Sequence, residues 1–195
     1  PYPVRIRGYG ANTNQLAYIN KYREVFLDNF NYSVAGNAMK WYSMGTNGDS
    51  FTRADRWYNW HTSNNIPVRG HTLLWGKKSS TNIAQENMHD PQWIEDLMDG
   101  TALEKEQAKI AIKNRIQQVV SYYAGKIDEW DFNNELWNYD HYRRQFDGQV
   151  SFKTGSHNPS GSSILAEFAE VALEANPNIK SVSYTHLRAH ETRHY

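Results

Sequence analysis

The chain has 195 residues, with 21 Lys and Arg against 21 Asp and Glu, so its formal net charge is zero. That balance argues against the basic footprint of a nucleic-acid binder or a polybasic membrane surface. The absence of cysteine excludes disulfide staples, thiolate metal sites and a cysteine nucleophile. Mean hydropathy is −0.81, and there is no apolar run of the roughly eighteen residues that a spanning helix needs. The opening PYPVRIRGYG lacks the charged-then-apolar order of a signal peptide. Seven Trp, thirteen Tyr and seven Phe stand beside nineteen Asn. Flat rings and neutral amides suit a polyhydroxylated, uncharged ligand such as a sugar chain, although core and turn use accounts for the same composition.

No repeat or low-complexity linker divides the chain, so it reads as one domain. Residues 4–7 are a candidate first strand. Over 13–28, Leu16, Ile19, Tyr22 and Phe26 share a helical face. Residues 32–35 read as a short strand. Thr52 with Asp55 three positions on predicts a capping box opening a helix to about residue 64. VRGHTLLW (68–75) is extended after Pro67. Asp90-Pro91 predicts a helix start, with an acid at the cap and Pro in the first turn. A long helix over 102–123 carries the stripe Ala108, Ile112, Ile116, Val119 and Tyr123, and Gly125 ends it. Residues 127–134 form the next strand. The polar loop that follows, roughly 25 residues, is long for a compact domain and points to function. Residues 161–175 give a helix with Ile164, Leu165, Phe168, Val171 and Ala175 inward, and Asn176-Pro177 stops it before an extended segment from Ile179.

Strand and helix therefore alternate four times before the start of a fifth strand, which implies parallel pairing by right-handed crossovers. An open doubly wound sheet would carry a glycine-rich turn after its first strand, and Gly8-Tyr9-Gly10 lacks the third glycine. A (β/α)8 barrel takes about 250 residues, so the pattern fills roughly half of one. The expected fold class is α/β, a partial (β/α)8 TIM barrel of about four βα units plus the start of a fifth strand.

In a parallel barrel the C-terminal strand ends converge on the face where the active site is built. The motifs NAMKW (37–41), VRGHTLLW (68–75) and WDFNNELW (130–137) end three strands. They bring together Asn37, Lys40, Trp41, His71, Trp75, Asn134 and Glu135. The amide, amine and imidazole groups can bind hydroxyls, and Trp41 and Trp75 can form ring walls. Glu135 ends its strand among Trp130, Phe132, Asn134 and Trp137. A carboxyl beside aromatic rings is driven towards its neutral form, as protonation of a glycosidic oxygen requires. Taken singly, Glu135 reads as a solvated loop-edge carboxylate, His71 as a structural histidine and each Trp as core; the convergence favours a site.

These three motifs, in this order, resemble glycoside hydrolase family 10, the retaining endo-β-1,4-xylanases, over roughly residues 22–180. The resemblance implies a (β/α)8 barrel acting on xylan or xylo-oligosaccharide, without a cofactor or metal. It implies Glu135 as general acid/base and Asn134 on the 2-hydroxyl of the sugar at the cleavage site. It places His71 and Lys40 on hydroxyls there or next door, Asn37 in the next subsite outward, and Trp75 along the cleavage site. A polymeric substrate implies secretion.

The chain departs from the family pattern in several places. Gly36 stands where a Glu usually precedes the Asn of NAMKW, and Gly76 follows Trp75 where His is frequent. The second, nucleophilic Glu belongs near the end of strand seven, beyond this chain. Retention needs two carboxyl groups about 5 Å apart. Asp131 lies four residues before Glu135 on the same strand, too distant at roughly 3.3 Å per residue, and Asp140 and Asp147 lie in the following loop. The chain alone is therefore expected not to hydrolyse xylan, and a non-catalytic xylan-binding half barrel is the alternative. Two unpaired sheet edges would favour oligomers. Residues 1–180 make up the barrel part, and 181–195, SVSYTHLRAHETRHY, read as foreign sequence of the kind a frameshift or adaptor read-through leaves. The tail contains His190-Glu191-Thr192-Arg193-His194, the H-E-x-x-H zinc pattern. His186 on the same straight stripe is poorly placed to complete a tetrahedral site, so a zinc-binding tail is the remote reading.

Overall fold

The computed structural model describes residues 13–44, 50–76, 90–136, 141–148 and 163–184. The candidate strand over 4–7, the Gly8-Tyr9-Gly10 turn, Trp137, Asp140 and the H-E-x-x-H tail lie outside the described residues. Helix α1 (Thr13–Asn29) leads into strand β1 (Ser33–Val34), and a 3₁₀ turn at Trp41–Met44 follows. Then come α2 (Thr52–Ser63), β2 (Val68–Leu74), α3 (Gln92–Met98) and α4 (Ala102–Tyr122). Strand β3 (Glu129–Asn134), α5 (His141–Phe146), α6 (Ser163–Ala175) and β4 (Lys180–Tyr184) complete the order.

The strands form one parallel sheet in the order β1-β2-β3-β4. Spatial order follows chain order throughout, without the reversal that defines a doubly wound sheet. The sequence reading gives 181–184 to the tail, whereas β4 runs through them. Ser181, Val182, Ser183 and Tyr184 pair in register with Trp130, Asp131, Asn133 and Asn134.

The helix layer follows from apolar spacing. In α4 the stripe Ala108, Ile112, Ile116 and Val119, with Tyr123 just beyond it, is fully buried, as one face of a 3.6-residue repeat should be. Gly125 at φ 70° closes the turn after this helix, in the left-handed region that glycine adopts freely. In α6, Ile164, Phe168 and Ala172 are buried, and Leu165, Val171 and Ala175 pack partly buried against the core. Of the expected α1 face, Phe26 is buried while Ile19 and Tyr22 are half-buried. On the sheet, Trp130 turns its ring to the helix side, 5.9 Å from Tyr123. A Cβ on Gly70, its partner across the ladder, would lie 2.2 Å from that ring. The glycine is what lets the two strands carry an indole there.

Two predicted caps form differently. Thr52 makes no capping box, because the N-cap of α2 is Phe51, with no side-chain bond. Asp55 instead accepts from the Tyr122 and Tyr123 hydroxyls at 2.6 and 2.9 Å. Asp90 does not cap α3, whose N-cap is Pro91; its carboxylate accepts from the buried Tyr142 hydroxyl. A complete capping box sits at α4, where Thr101 and Glu104 bond reciprocally. The long polar loop after β3 contains α5, and Asp147 at its far end accepts from Ser163 Oγ at 2.6 Å and Ile164 N at 3.0 Å, capping α6.

Candidate active site

Trp130 and Gly70 face the helices, so the period-2 alternation sends Arg69, His71, Glu129 and Asp131 to the opposite face. There they form a ladder across β2 and β3. His71 Nδ1 donates to Asp131 Oδ2 at 2.7 Å. Arg69 pairs through Nε with Asp131 Oδ1 at 3.3 Å and through a terminal nitrogen with Glu129 Oε1 at 3.4 Å. The Tyr32 hydroxyl donates to Glu129 Oε2 at 2.9 Å, and burial followed by that bond pushes the phenol up to about 12. Thr72 Oγ1 donates to the Asp131 carbonyl at 2.8 Å. With Nδ1 committed to Asp131, Nε2 is the His71 nitrogen directed away from the ladder. The carboxylate thereby fixes both ring orientation and tautomer.

Beyond this ladder lie the strand ends. Asn134 closes β3 and is buried. Glu135 follows half-buried with φ at 51°. A left-handed glutamate costs about 1 kcal/mol or more, and such strain concentrates at functional sites. Trp75 follows β2, with its ring 6.5 Å from that of His71. Lys40, in the segment after β1, holds Nζ 4.0 Å from the Trp75 centroid. Both side chains are buried, so this cation–π contact is worth roughly 2 kcal/mol. Asn37 lies half-buried at the start of the same segment. The fold thus places Asn37, Lys40, Trp75, Asn134 and Glu135 at or beyond the C-terminal ends of three adjacent strands, with His71 inside β2 and direct contact between Lys40 and Trp75.

Two aromatic assignments change. Trp41 is core and not a ring wall: it meets Trp93 edge-on at 6.2 Å and lies under the Arg115 guanidinium. Trp130 contributes no ring beside Glu135, since it faces Tyr123. Two supporting residues, Arg115 and Asp131, were not legible as such. Arg115 sits buried within the α4 stripe and donates to the Met39 carbonyl at 2.9 Å, bracing the segment that carries Lys40. Burial brings its guanidinium down to about 9, with Asp90 acting in the opposite sense. An arginine among apolar stripe positions was the available signal. Asn133 is fully buried, with neither amide atom hydrogen-bonded among the described residues. Asp131, too far along β3 to serve as a second carboxylate beside Glu135, has its side chain engaged by His71 and Arg69. Among the described residues no cluster of His, Asp or Glu is arranged to hold a metal ion.

The family model for glycosyl hydrolase family 10 matches residues 5–184. The chain belongs to glycosyl hydrolase family 10. Its sheet is accordingly part of a (β/α)8 barrel. Among curated relatives, the anti-sigma-I factor RsgI6 of Acetivibrio thermocellus is 32% identical over 66% of this chain and 15% of its own length. The endo-1,4-beta-xylanase 5-like protein of Arabidopsis thaliana is 30% identical over 82% of this chain and 23% of its own. Among solved structures, xylanase 10B from Thermotoga petrophila in complex with xylobiose superposes with TM-score 0.59 at 24% identity. That superposition covers 85% of this chain and 44% of the xylanase. The family-10 chain thus spans under a quarter of the length of those two relatives.

Proposed function

We propose that the chain carries the acid/base half of a retaining endo-β-1,4-xylanase site, acting on xylan outside the cell. The observation that carries this reading is Glu135, held in a left-handed conformation after β3 beside Asn134, with His71 in the neighbouring β2, Trp75 just after it, and Lys40, from the segment after β1, against the Trp75 ring. In that role Glu135 protonates the glycosidic oxygen as the leaving sugar departs, then takes a proton from the attacking water. Asn134 binds the 2-hydroxyl, His71 offers Nε2 to a second hydroxyl, and the Lys40-backed Trp75 ring stacks on a pyranose face. Asn37 serves the next subsite outward. The covalent step requires a second carboxylate about 5 Å from Glu135. Among the described residues Asp131 is committed to His71 and Arg69 and Asp147 to the α6 cap, so neither supplies it, and the reading proposed for this chain is binding of the polymer without cleavage.

The match to a protein named as an anti-sigma factor favours a second reading, in which the fold serves recognition without turnover. Affinity electrophoresis in xylan, together with a reducing-sugar assay, tests the two features these readings share, xylan binding and the lack of turnover. Retarded mobility without sugar release is expected. Sugar release abolished by Glu135→Gln would overturn the non-hydrolytic reading of this chain. Unretarded mobility would overturn xylan as the ligand.

A further inference from the structure

A second group of buried polar side chains lies behind Trp75, outside the ladder. Asp90, Glu95, His141 and Tyr142 are each at most 4% exposed. The Tyr142 hydroxyl donates to Asp90 Oδ2, and the Asp90 backbone N–H donates to the Trp75 carbonyl at 3.3 Å. His141 bridges Glu95 Oε2 at 2.6 Å and Asp99 Oδ1 at 2.9 Å, which ties α5 to α3. Gly76 lies flat against this pair: a Cβ there would be 3.1 Å from the Tyr142 ring and 3.4 Å from His141 Cβ. The Trp75 backbone carbonyl, through Asp90, and Gly76 directly are therefore braced by a segment that follows β3, the strand after which Glu135 comes. The loop after one strand is fastened to the wall that stands at the end of the other.

We propose that Asp90, Tyr142 and His141 form a strut of positioning residues that sets the Trp75 ring against Lys40 and fixes its distance from the Glu135 strand end. The proposal rests on the reading of Trp75 as a sugar-stacking wall. Burial of two carboxyl groups is costly unless each is hydrogen-bonded, and here each bond joins the segment after β2 to helix α5 and not neighbours in one helix. A side chain misplaced by about 1 Å in such a site can cost orders of magnitude in ligand use.

The test compares the full chain with Tyr142→Phe, Asp90→Val and Asp90→Asn, each also made in a Trp75→Phe background. Subtracting the paired emission spectra isolates Trp75 among the seven tryptophans. Xylohexaose titration and acrylamide quenching of that component are the two readouts, and Ile116→Val serves as a control for simple destabilisation. Tyr142→Phe and Asp90→Val should weaken xylohexaose binding roughly tenfold and raise quenching of Trp75. Asp90→Asn, which keeps an acceptor for the phenol, and Ile116→Val should leave both near the parent values. Unchanged Trp75 quenching in both disruptive variants, or equal changes in Ile116→Val, would overturn the strut. A parent chain that does not bind xylohexaose sinks the xylan reading, while the quenching comparison still decides the strut. Should Asp90→Val fail to fold, Tyr142→Phe decides alone, since it removes one hydroxyl and keeps the ring.

Discussion

Two polar clusters lie near the same strand ends, a half-buried ladder and a buried strut, and they are built by opposite means. The ladder of Arg69, His71, Glu129 and Asp131 uses two adjacent strands, with His71 opposite Asp131 in the register. Each strand contributes residues two apart, so the pleat alone puts them on one face. The strut of Asp90, Glu95, His141 and Tyr142 joins positions 46 and 52 residues apart that share no periodic element. A periodic cluster tolerates loss of one member if a hydrogen-bond acceptor survives, because the backbone ladder keeps its geometry. A cluster assembled from two separate short helices and a loop residue owes its geometry to the side-chain bonds themselves.

The largest expected effect breaks the ladder. Asp131→Ala leaves Arg69 and His71 facing one another without their carboxylate, and Asp131 is only 3% exposed. Removing one partner of a buried pair costs about 3 kcal/mol, and Arg69, being partly exposed, keeps the figure from rising further. Urea unfolding should show this loss, and Asp131→Asn should recover most of it because its amide oxygen still accepts from His71 Nδ1. Equal losses in the two variants would mean that charge, not the hydrogen bond, holds the ladder.

Gly70→Ala attacks the other face of the same two strands. The new methyl would lie 2.2 Å from Trp130, so the indole or the strand must move, at about 2 kcal/mol. A change below 0.5 kcal/mol in the same assay, against the roughly 1–3 expected for overpacking, would show that the ring has somewhere to go.

What was legible in the sequence follows the same division. The β2 and β3 motifs, the α4 stripe and the partial barrel could be read because each is encoded by a period and bounded by Pro, Gly or Asn. The convergence of Lys40, His71, Trp75 and Glu135 followed from parallel topology alone. Helix α5 was missed because its six residues, HYRRQF, bury His141, Tyr142 and Arg143, a polar inward face that apolar periodicity does not register. Asp90 was read as a cap because Asp before Pro is a strong local signal. Its actual partner, Tyr142, is 52 residues away, and no local pattern points across such a gap. Trp41 and Trp75 follow two strands in similar fashion, and sequence alone does not tell which ring the helix layer claims.

The strut predicts a pH dependence of stability. Burial, and next the nearby Glu95, raise the Asp90 carboxyl well above its ordinary value, with the Tyr142 hydroxyl and Arg115 opposing. Its folded form therefore holds a proton that the unfolded chain has lost. Stability contributed by this group is present below the ordinary carboxyl range and falls as pH rises towards the folded value. The slope is at most about 1.4 kcal/mol per pH unit. Asp90→Asn cannot titrate, so its stability relative to the parent should climb with pH above about 4. A difference that stays flat from acid to neutral pH would place Asp90 ionised in the fold, with Tyr142 and Arg115 outweighing burial.

The smallest effect separates a pattern that the structure uses from one that it does not. Thr52 with Asp55 and Thr101 with Glu104 both have a hydroxyl followed three residues later by an acid, and both precede a helix. At α4 the box closes: Glu104 Oε2 accepts from Thr101 N at 2.7 Å. At α2 the acid is turned away to Tyr122 and Tyr123, and Phe51 takes the cap position. Thr101→Ala should therefore cost about 1 kcal/mol. Thr52→Ala, inside the first turn of α2, should be neutral or stabilising by a few tenths of a kcal/mol, because alanine is the better helix former. Equal costs at the two sites would mean that Thr52 caps α2 after all. The bonds from Tyr122 and Tyr123 to Asp55 would then not be what decides where that helix begins.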